Sequence, residues 1–300
     1  MHPNTLREKL YGVIAFPVTP FRDNLSLDLP GLHNNLSKLL EYPISAIVVA
    51  GGTGEMYSLT PAEYSRVIEL ATLAVEDRVP VIAGVGFGQR LAVEMAQAAE
   101  QAGADGILAF PPYYPHAEAD GMFEYYRSIG AATSLGLVIY SRDWAMFTPE
   151  MVERLAAIPT LVAWKDGHGD IRRLQSIIHR VGERLHWIGG AGDDMVAAYY
   201  SIGLRTFSSS IATVAPRLSL RLHELGEAGD NEGLDELLDR CVIPLYAIRS
   251  RRKGYEVSTM KAMMEMVGLS AGPVRPPLVN VTPEEEDELR AILAQWEKFL

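Results

Sequence analysis

One pattern is repeated eight times along the chain: a short, almost purely apolar run is followed by a segment whose apolar residues recur with helical spacing. The predicted strands cover residues 12–16, 44–49, 79–83, 106–110, 136–140, 161–164, 185–188 and 205–207. Helical spacing is clearest over residues 61–75, 90–102, 149–156 and 195–202. Nearly continuous apolar strands are typical of a parallel sheet covered by helices, and eight such units close a (β/α)8 barrel. The alternative topology is a doubly wound open sheet.

The chain continues beyond the eighth unit. From about Asn231 onward, further helical spacing covers residues 232–248, 255–267 and 283–300. No linker-like composition separates these segments from the preceding units, so we expect them to pack on the barrel. The sequence therefore predicts an α/β protein, with a (β/α)8 TIM barrel over residues 1–230 and a C-terminal helical extension over residues 231–300.

Charge and cysteine content exclude several classes of function. The net charge of −11 argues against nucleic acid as a partner, because binding to phosphates requires clustered cations. Cys241 is the only cysteine, which rules out an internal disulfide or a thiolate metal centre and is typical of a reducing compartment. The sequence contains no signal-peptide pattern and no apolar run of membrane-spanning length. We therefore expect a cytoplasmic protein that binds neither membrane nor nucleic acid.

Lys165 follows the sixth apolar run and precedes Asp166. Lysine is rarely buried, and apolar surroundings would lower the pKa of its ammonium group. A neutral amine attacks ketones and forms imines, so Lys165 is the candidate nucleophile. The alternative is a structural lysine whose stem is buried and whose charged end reaches solvent or pairs with Asp166.

The carboxyl ends of the strands in such a barrel meet at one mouth, where catalysis takes place. The glycine-rich segment 51–55 follows the second strand, and the backbone amides around Gly52 together with the hydroxyl of Thr53 are candidates to hold a carboxylate. The segment lacks the lysine of a phosphate-binding loop. A purely structural turn is the alternative for this segment.

Tyr140 ends the fifth strand, and Arg142 lies two residues further on. A phenol beside a forming imine can transfer protons, and a guanidinium can bind a second carboxylate or keep a nearby lysine neutral. The alternatives are a tyrosine with a buried ring and a wet hydroxyl, and an arginine that pairs with Asp143. Arg142 is our candidate for binding the distal part of a substrate.

Small and hydroxylated residues follow the last two strands. Gly190 comes after the seventh strand, and Ser208, Ser209 and Ser210 come after the eighth. Their backbone and hydroxyl donors make them candidate substrate-binding residues, although a serine-rich loop is also an ordinary structural feature. No pair of histidines and no triad of metal ligands follows any strand, so we predict no metal.

Two further segments are not assigned to the site. Residues 84–88 contain three glycines after the third strand, but their spacing is not that of a dinucleotide-binding loop, and Asp105 precedes the next strand. The basic run 249–253 is interpreted as the solvated end of a helix or a contact between subunits.

In their order and spacing, the glycine-rich segment 51–55, Tyr140 and the segment 161–165 resemble the dihydrodipicolinate synthase / N-acetylneuraminate lyase superfamily. The resemblance covers essentially the whole chain. It implies a Schiff-base-forming (β/α)8 barrel with a helical C-terminal extension, and usually a homotetramer. It also implies that Lys165 forms the imine, that Tyr140 is the acid and base, and that Gly52 and Thr53 hold the carboxylate of a 2-oxo acid.

Within this superfamily, the sequence is similar to the 5-dehydro-4-deoxyglucarate dehydratases. The similar segments are 51–59, 140–143, 165–167, 251–258 and 272–278. This resemblance implies a decarboxylating dehydratase that acts on a keto-sugar diacid, produces 2,5-dioxopentanoate and needs no cofactor.

The resemblance is incomplete in two loops. Residues 190–194 are closer to the synthases, and Thr213 stands where the dehydratases tend to carry an asparagine. Two alternatives therefore stay open: an aldolase or synthase of the same superfamily, and a non-catalytic barrel that binds 2-oxo acids. A dinucleotide-dependent enzyme is a more distant third.

Overall fold

In the computed structural model, which describes all 300 residues, eight parallel strands form a closed barrel in sequence order, with the last strand paired to the first. The strands are β1 (Gly12–Ala15), β2 (Ala46–Val49), β3 (Val81–Phe87), β4 (Gly106–Pro112), β5 (Gly136–Ser141), β6 (Leu161–Asp166), β7 (His186–Gly189) and β8 (Thr206–Ser209). The predicted barrel is confirmed, and the doubly wound alternative is wrong because a closed sheet has no edge strands.

Thirteen α-helices accompany the barrel. They are α1 (Pro3–Lys9), α2 (Leu29–Leu39), α3 (Pro61–Val75), α4 (Gln89–Gln101), α5 (Ala119–Ala131), α6 (Pro149–Leu155), α7 (Ile171–Val181), α8 (Val196–Ser201), α9 (Pro216–Ala228), α10 (Asn231–Leu237), α11 (Ile243–Arg249), α12 (Tyr255–Met266) and α13 (Pro283–Trp296). Local sequence sets their starts: α3 begins with a capping box between Thr60 and Glu63, and α6 begins after Thr148, whose hydroxyl accepts from Met151 N. None of these helices is both long enough and apolar enough to span a membrane.

Helix α1, which the sequence did not predict, closes the end of the barrel where the strands begin. Leu6 is fully buried there. A Cβ atom on Gly106 or Gly136 would lie 2.5 or 2.7 Å from Leu6 Cδ2. Glycines at the starts of β4 and β5 therefore make room for this side chain, and catalysis is left to the opposite end of the barrel.

The C-terminal helices share the core of the barrel. Trp296 on α13 is fully buried, and its indole N–H donates to the carbonyl oxygen of Cys241 at 2.9 Å. Residues 232–248, predicted to be helical, are helical throughout: a π-helical segment, Leu238–Val242, joins α10 to α11. Pro244 lies in the first turn of α11 and has no N–H to donate, so the helical hydrogen bonding changes before it. Helix α11 follows this segment and ends at Arg249.

Candidate active site

Lys165 lies at the carboxyl end of β6, and only 3% of it is exposed. Its Nζ atom donates a hydrogen bond to the carbonyl oxygen of Gly190 at 3.0 Å and lies 3.5 Å from the centroid of the Tyr140 ring. It does not pair with Asp166, whose carboxylate accepts from the Tyr199 hydroxyl at 2.8 Å and from Gly169 N at 2.9 Å. The alternative of a solvent-reaching or Asp166-paired lysine is therefore wrong.

These surroundings favour the neutral amine. Burial lowers the pKa of Lys165 well below its ordinary value, and the positive charge of Arg142 lowers it further, while Asp166 opposes the shift. An amine that has lost its proton carries the lone pair that attacks a carbonyl carbon. Lys165 thus has the position of a nucleophile, and its surroundings shift its pKa toward the neutral form that reacts.

Tyr140 faces the same carbonyl group as the amine. Its hydroxyl donates to the oxygen of Gly190 at 3.3 Å, and burial raises the pKa of this phenol, which keeps it protonated. Gly190 has no room for a side chain, because a Cβ atom there would lie 2.6 Å from Lys165 Nζ and 2.7 Å from the backbone oxygen of Asp166. The amine and a proton donor therefore converge on one backbone oxygen.

A cavity of about 370 Å³ opens onto these groups, and Gly52, Thr53 and Arg142 line it. A Cβ atom on Gly52 would lie 3.2 Å from Arg142 Nη1, so the missing side chain makes room for the guanidinium. Arg142 also pairs with Asp143, at 2.7 Å from Nε to Oδ2. The structure places Arg142 beside Gly52 and Thr53, the residues predicted to hold a carboxylate and called the carboxylate cradle from here on. The sequence analysis had assigned Arg142 to the distal part of the substrate instead.

The three serines at the carboxyl end of β8, of which Ser208 and Ser209 belong to the strand, do not share one environment. Ser208 and Ser210 line the cavity together with Gly190, as predicted. Ser209 does not line it: its fully buried hydroxyl donates to Asp193 and lies 2.8 Å from the hydroxyl of Ser219. Neighbouring side chains of a strand point to opposite faces, so Ser209 is directed away from the substrate space. Its predicted contact with substrate is not supported.

Sequence reasoning missed several residues of the cavity wall, among them Asp193, Tyr246 and Arg249. Asp193 is buried, and burial raises the pKa of its carboxyl group to about 6. Tyr246 and Arg249 lie on α11, three positions apart and hence on one helix face. This three-residue spacing is the only feature of the local sequence that indicates that Tyr246 and Arg249 lie side by side.

The interpretation of residues 249–253 as a solvated run is wrong for its first member. Arg249 is 8% exposed, and its Nη2 donates to Ser210 Oγ at 3.0 Å. Arg251 is exposed as expected and pairs with Glu288 at 2.6 Å. The cavity wall thus includes a cation from the C-terminal extension.

The extension also holds the glycine-rich loop after β2. Glu55 ends this loop in a left-handed backbone conformation, with φ of 52°, and is fully buried. One of its carboxylate oxygens lies 2.6 Å from Lys261 Nζ, and the other accepts from Arg275 N at 2.9 Å. One side-chain contact, from Lys261, and one backbone contact, from Arg275, therefore fix the end of the carboxylate cradle to the extension.

Two of the three glycines of residues 84–88, Gly84 and Gly86, lie in close packing contacts. Gly84 lies within β3, and a Cβ atom there would be 2.1 Å from the backbone oxygen of Ala50. No group of three or more histidine, cysteine, aspartate or glutamate side chains is arranged to hold a metal ion.

Comparison with known proteins gives the family. The model of the dihydrodipicolinate synthetase family matches residues 9–296. The chain belongs to this family. A relative from Bradyrhizobium diazoefficiens, named "probable 5-dehydro-4-deoxyglucarate dehydratase", is 39% identical over 285 residues, covering 94% of this chain and 91% of the relative. A relative of the same name from Ralstonia nicotianae is 41% identical over 287 residues, covering 95% of this chain and 92% of the relative.

Solved structures of the family share the whole fold. The dihydrodipicolinate synthase from Oceanobacillus iheyensis superposes with a TM-score of 0.92 at 30% identity, covering 98% of this chain and 99% of that one. The synthase from Bacillus clausii gives the same TM-score at 25% identity, covering 97% of this chain and 99% of that one. The predicted resemblance and fold class are confirmed by these matches.

Proposed function

We propose that the protein is a Schiff-base-forming, decarboxylating dehydratase that converts 5-dehydro-4-deoxyglucarate to 2,5-dioxopentanoate. The observation that carries this proposal is the buried Lys165 amine, held with the Tyr140 hydroxyl on one carbonyl oxygen beside a carboxylate cradle. The names of the curated relatives, at 39% and 41% identity, support the choice of substrate.

The first step forms the imine. The Lys165 amine adds to the ketone carbon of the substrate while Gly52, Thr53 and Arg142 hold the neighbouring carboxylate. The Tyr140 hydroxyl transfers protons as the carbinolamine loses its oxygen as water. The product is an iminium, whose positive nitrogen attracts electrons from the rest of the substrate.

The second step removes the substrate hydroxyl. The methylene next to the iminium carbon loses a proton, and the resulting enamine expels the hydroxyl from the adjacent carbon as water. A carbon–carbon double bond now conjugates with the iminium. No redox partner takes part, because the electron pair from the broken C–H bond replaces the pair that leaves with oxygen.

The third step releases carbon dioxide. The bond between the far carboxylate and its carbon breaks, and its electron pair passes through the conjugated system to the iminium nitrogen. The carbon that loses the carboxylate carries a hydroxyl, so it becomes an enol and then an aldehyde when its neighbour takes up a proton. Protonation of the enamine and hydrolysis by one water release 2,5-dioxopentanoate and free Lys165. The overall reaction consumes one proton and releases one water and one carbon dioxide.

Trapping with borohydride tests the nucleophile. Reduction in the presence of substrate should add the mass of one reduced imine to the peptide that carries Lys165. The Lys165→Ala variant should give no adduct, whereas Lys253→Ala, which removes an exposed lysine, should react like the unmodified protein. An adduct that persists in Lys165→Ala would overturn the assignment.

A second candidate function is an aldolase or synthase that makes or cleaves a bond to pyruvate. The buried Asp193 in the loop after β7 and the solved synthase structures favour it. The two reactions give different products from the same substrate. Carbon dioxide release without pyruvate supports the dehydratase, and pyruvate without carbon dioxide supports the aldolase.

We further propose that residues 1–230 and 231–300 form a barrel with its extension, that the protein acts in the cytoplasm and that it assembles as a homotetramer. Assembly is supported by exposed aromatic residues near the mouth, since Tyr113 and Tyr114 are 86% and 75% exposed. Light scattering should give a mass close to four times 33.0 kDa. A mass equal to a single chain would refute the tetramer.

A further inference from the structure

Arg249 is a buried cation without an anionic partner. Only 8% of it is exposed, and no carboxylate oxygen lies within 4.0 Å of its guanidinium. Its Nε donates weakly to the hydroxyl of Thr259 at 3.4 Å, its Nη2 donates to Ser210 Oγ at 3.0 Å, and its face lies 4.9 Å from the centroid of the Tyr246 ring. These neutral contacts orient the guanidinium and leave Nη1 without a hydrogen bond.

Asp193, a buried acid that lines the same cavity, is already engaged by other groups. The carboxylate of Asp193 accepts from Ser209 and from the Tyr246 hydroxyl, the latter at 3.2 Å. The other three arginines discussed above have acidic partners: Arg142 pairs with Asp143, Arg251 with Glu288, and Arg275 with Glu63. Arg249 therefore differs from them in charge balance.

Burial of an unpaired charge is costly, and proteins normally compensate it with an opposite charge or a ligand. Arg249 lines the cavity that contains Lys165, so the compensating anion can come from a bound molecule. Arg142 stands beside Gly52 and the cradle for the carboxylate next to the ketone. A second guanidinium in the same cavity suits a substrate that carries a second carboxylate.

We infer that Arg249 binds the far carboxylate of a dicarboxylic 2-oxo acid and makes the site select diacids over monoacids. The inference rests on the proposed function only for the identity of the natural substrate. A monoacid would bury the same guanidinium without a partner, which weakens its binding relative to the diacid. Selection of this kind resides in the C-terminal extension, since α11 supplies Arg249.

Two unreactive probes isolate this contact. 2-Oxoadipate has the six-carbon skeleton of the proposed substrate with both carboxylates but no hydroxyl to eliminate, and 2-oxohexanoate ends in a methyl group instead of the far carboxylate. Both can form the imine with Lys165, and borohydride fixes it. The concentration that gives half-maximal adduct by mass spectrometry measures binding without any turnover.

In the unmodified protein we expect half-maximal trapping of 2-oxoadipate at a concentration roughly 10- to 100-fold lower than that of 2-oxohexanoate, as for a charge-assisted hydrogen bond pair. Arg249→Met should remove this preference by weakening 2-oxoadipate alone. Arg249→Lys should keep part of it, because the charge remains while the fork of donors is lost. Arg251→Met, at an exposed position nearby, should leave both values unchanged.

Three results would overturn the inference: no preference for 2-oxoadipate in the unmodified protein, a preference that survives Arg249→Met, or an equal loss of both probes in that variant. Should Arg249→Met fail to fold, the comparison of the two probes in Arg249→Lys decides. Failure of the proposed function is a separate result, since it appears as absent carbon dioxide release and does not alter trapping of probes that cannot be dehydrated.

Discussion

Replacing Lys261 with methionine should destabilise the protein and loosen the carboxylate cradle. Lys261 and Glu55 are 2% and 0% exposed, and their charged atoms lie 2.6 Å apart. Methionine fills a similar volume without the charge, so the substitution leaves the Glu55 carboxylate buried with the N–H of Arg275 as its remaining partner. Lys261 also donates to the carbonyl oxygen of Pro273 at 2.9 Å, and that acceptor loses its donor as well.

The size of the effect follows from burial. Removing one member of a buried ion pair costs about 3–5 kcal/mol. The unfolding entropy of a 300-residue chain is about 0.6 kcal/mol per degree, from about 2.1 cal/mol/K for each residue. The melting temperature should therefore fall by about 5–8 °C. The double variant Glu55→Gln with Lys261→Met should recover more than half of this loss, because no unpaired charge remains buried.

Two measurements check this prediction. Thermal melts at equal protein concentration compare the single variants, the double variant and Lys253→Met, an exposed control whose melting temperature should not change. Borohydride trapping should show weaker binding of 2-oxoadipate and 2-oxohexanoate alike, because both need the cradle at Gly52. A loss below about 1 kcal/mol, or additive effects in the double variant, would refute the reasoning about the ion pair.

Three further predictions concern single positions. Gly190→Ala should abolish imine trapping, because its Cβ would lie 2.6 Å from Lys165 Nζ; an adduct at normal substrate concentration would contradict this. Tyr140→Phe should lower turnover by about 10²- to 10⁴-fold while 2-oxoadipate is still trapped, only more slowly, and near-normal turnover would remove the phenol from the mechanism. Burial lowers the pKa of His186 to about 4, below its ordinary 6.5, so the unfolded chain takes up the proton first as pH falls, and stability should drop by about 3 kcal/mol between pH 6.5 and 4. Melts of His186→Gln over this range should lack that component, and parallel pH profiles of the two proteins would contradict it.

The barrel could be predicted because its signals are local. A short apolar run indicates each strand, and Lys165 and Tyr140 are recognisable because they lie at the ends of such runs. The ends of the strands were less predictable: β6 continues through Lys165 and Asp166, since its hydrogen bonds to β7 do not depend on side-chain polarity.

The remaining parts of the site depend on long-range contacts. Arg249 lies 84 positions after Lys165 and reaches the cavity from α11 of the C-terminal extension. Its charged neighbours in sequence suggested a solvated surface instead. The sequence could not show that Ser209 does not line the cavity, because the direction of a side chain depends on strand register, which a one-residue difference reverses. Helix α1 has too few apolar residues to show a period, although Leu6 is fully buried.

The backbone oxygen of Gly190 has a consequence for how this enzyme tolerates mutation. Because it belongs to the main chain, no substitution can delete the acceptor that aligns the nucleophile and the proton donor; only a displacement of the polypeptide can. Loop residues other than the tightly packed Gly190 and Gly192 can therefore vary as long as the path of the chain is kept. Sequence variation in the turn after β7 should alter which molecules enter, while the geometry that drives bond-making persists.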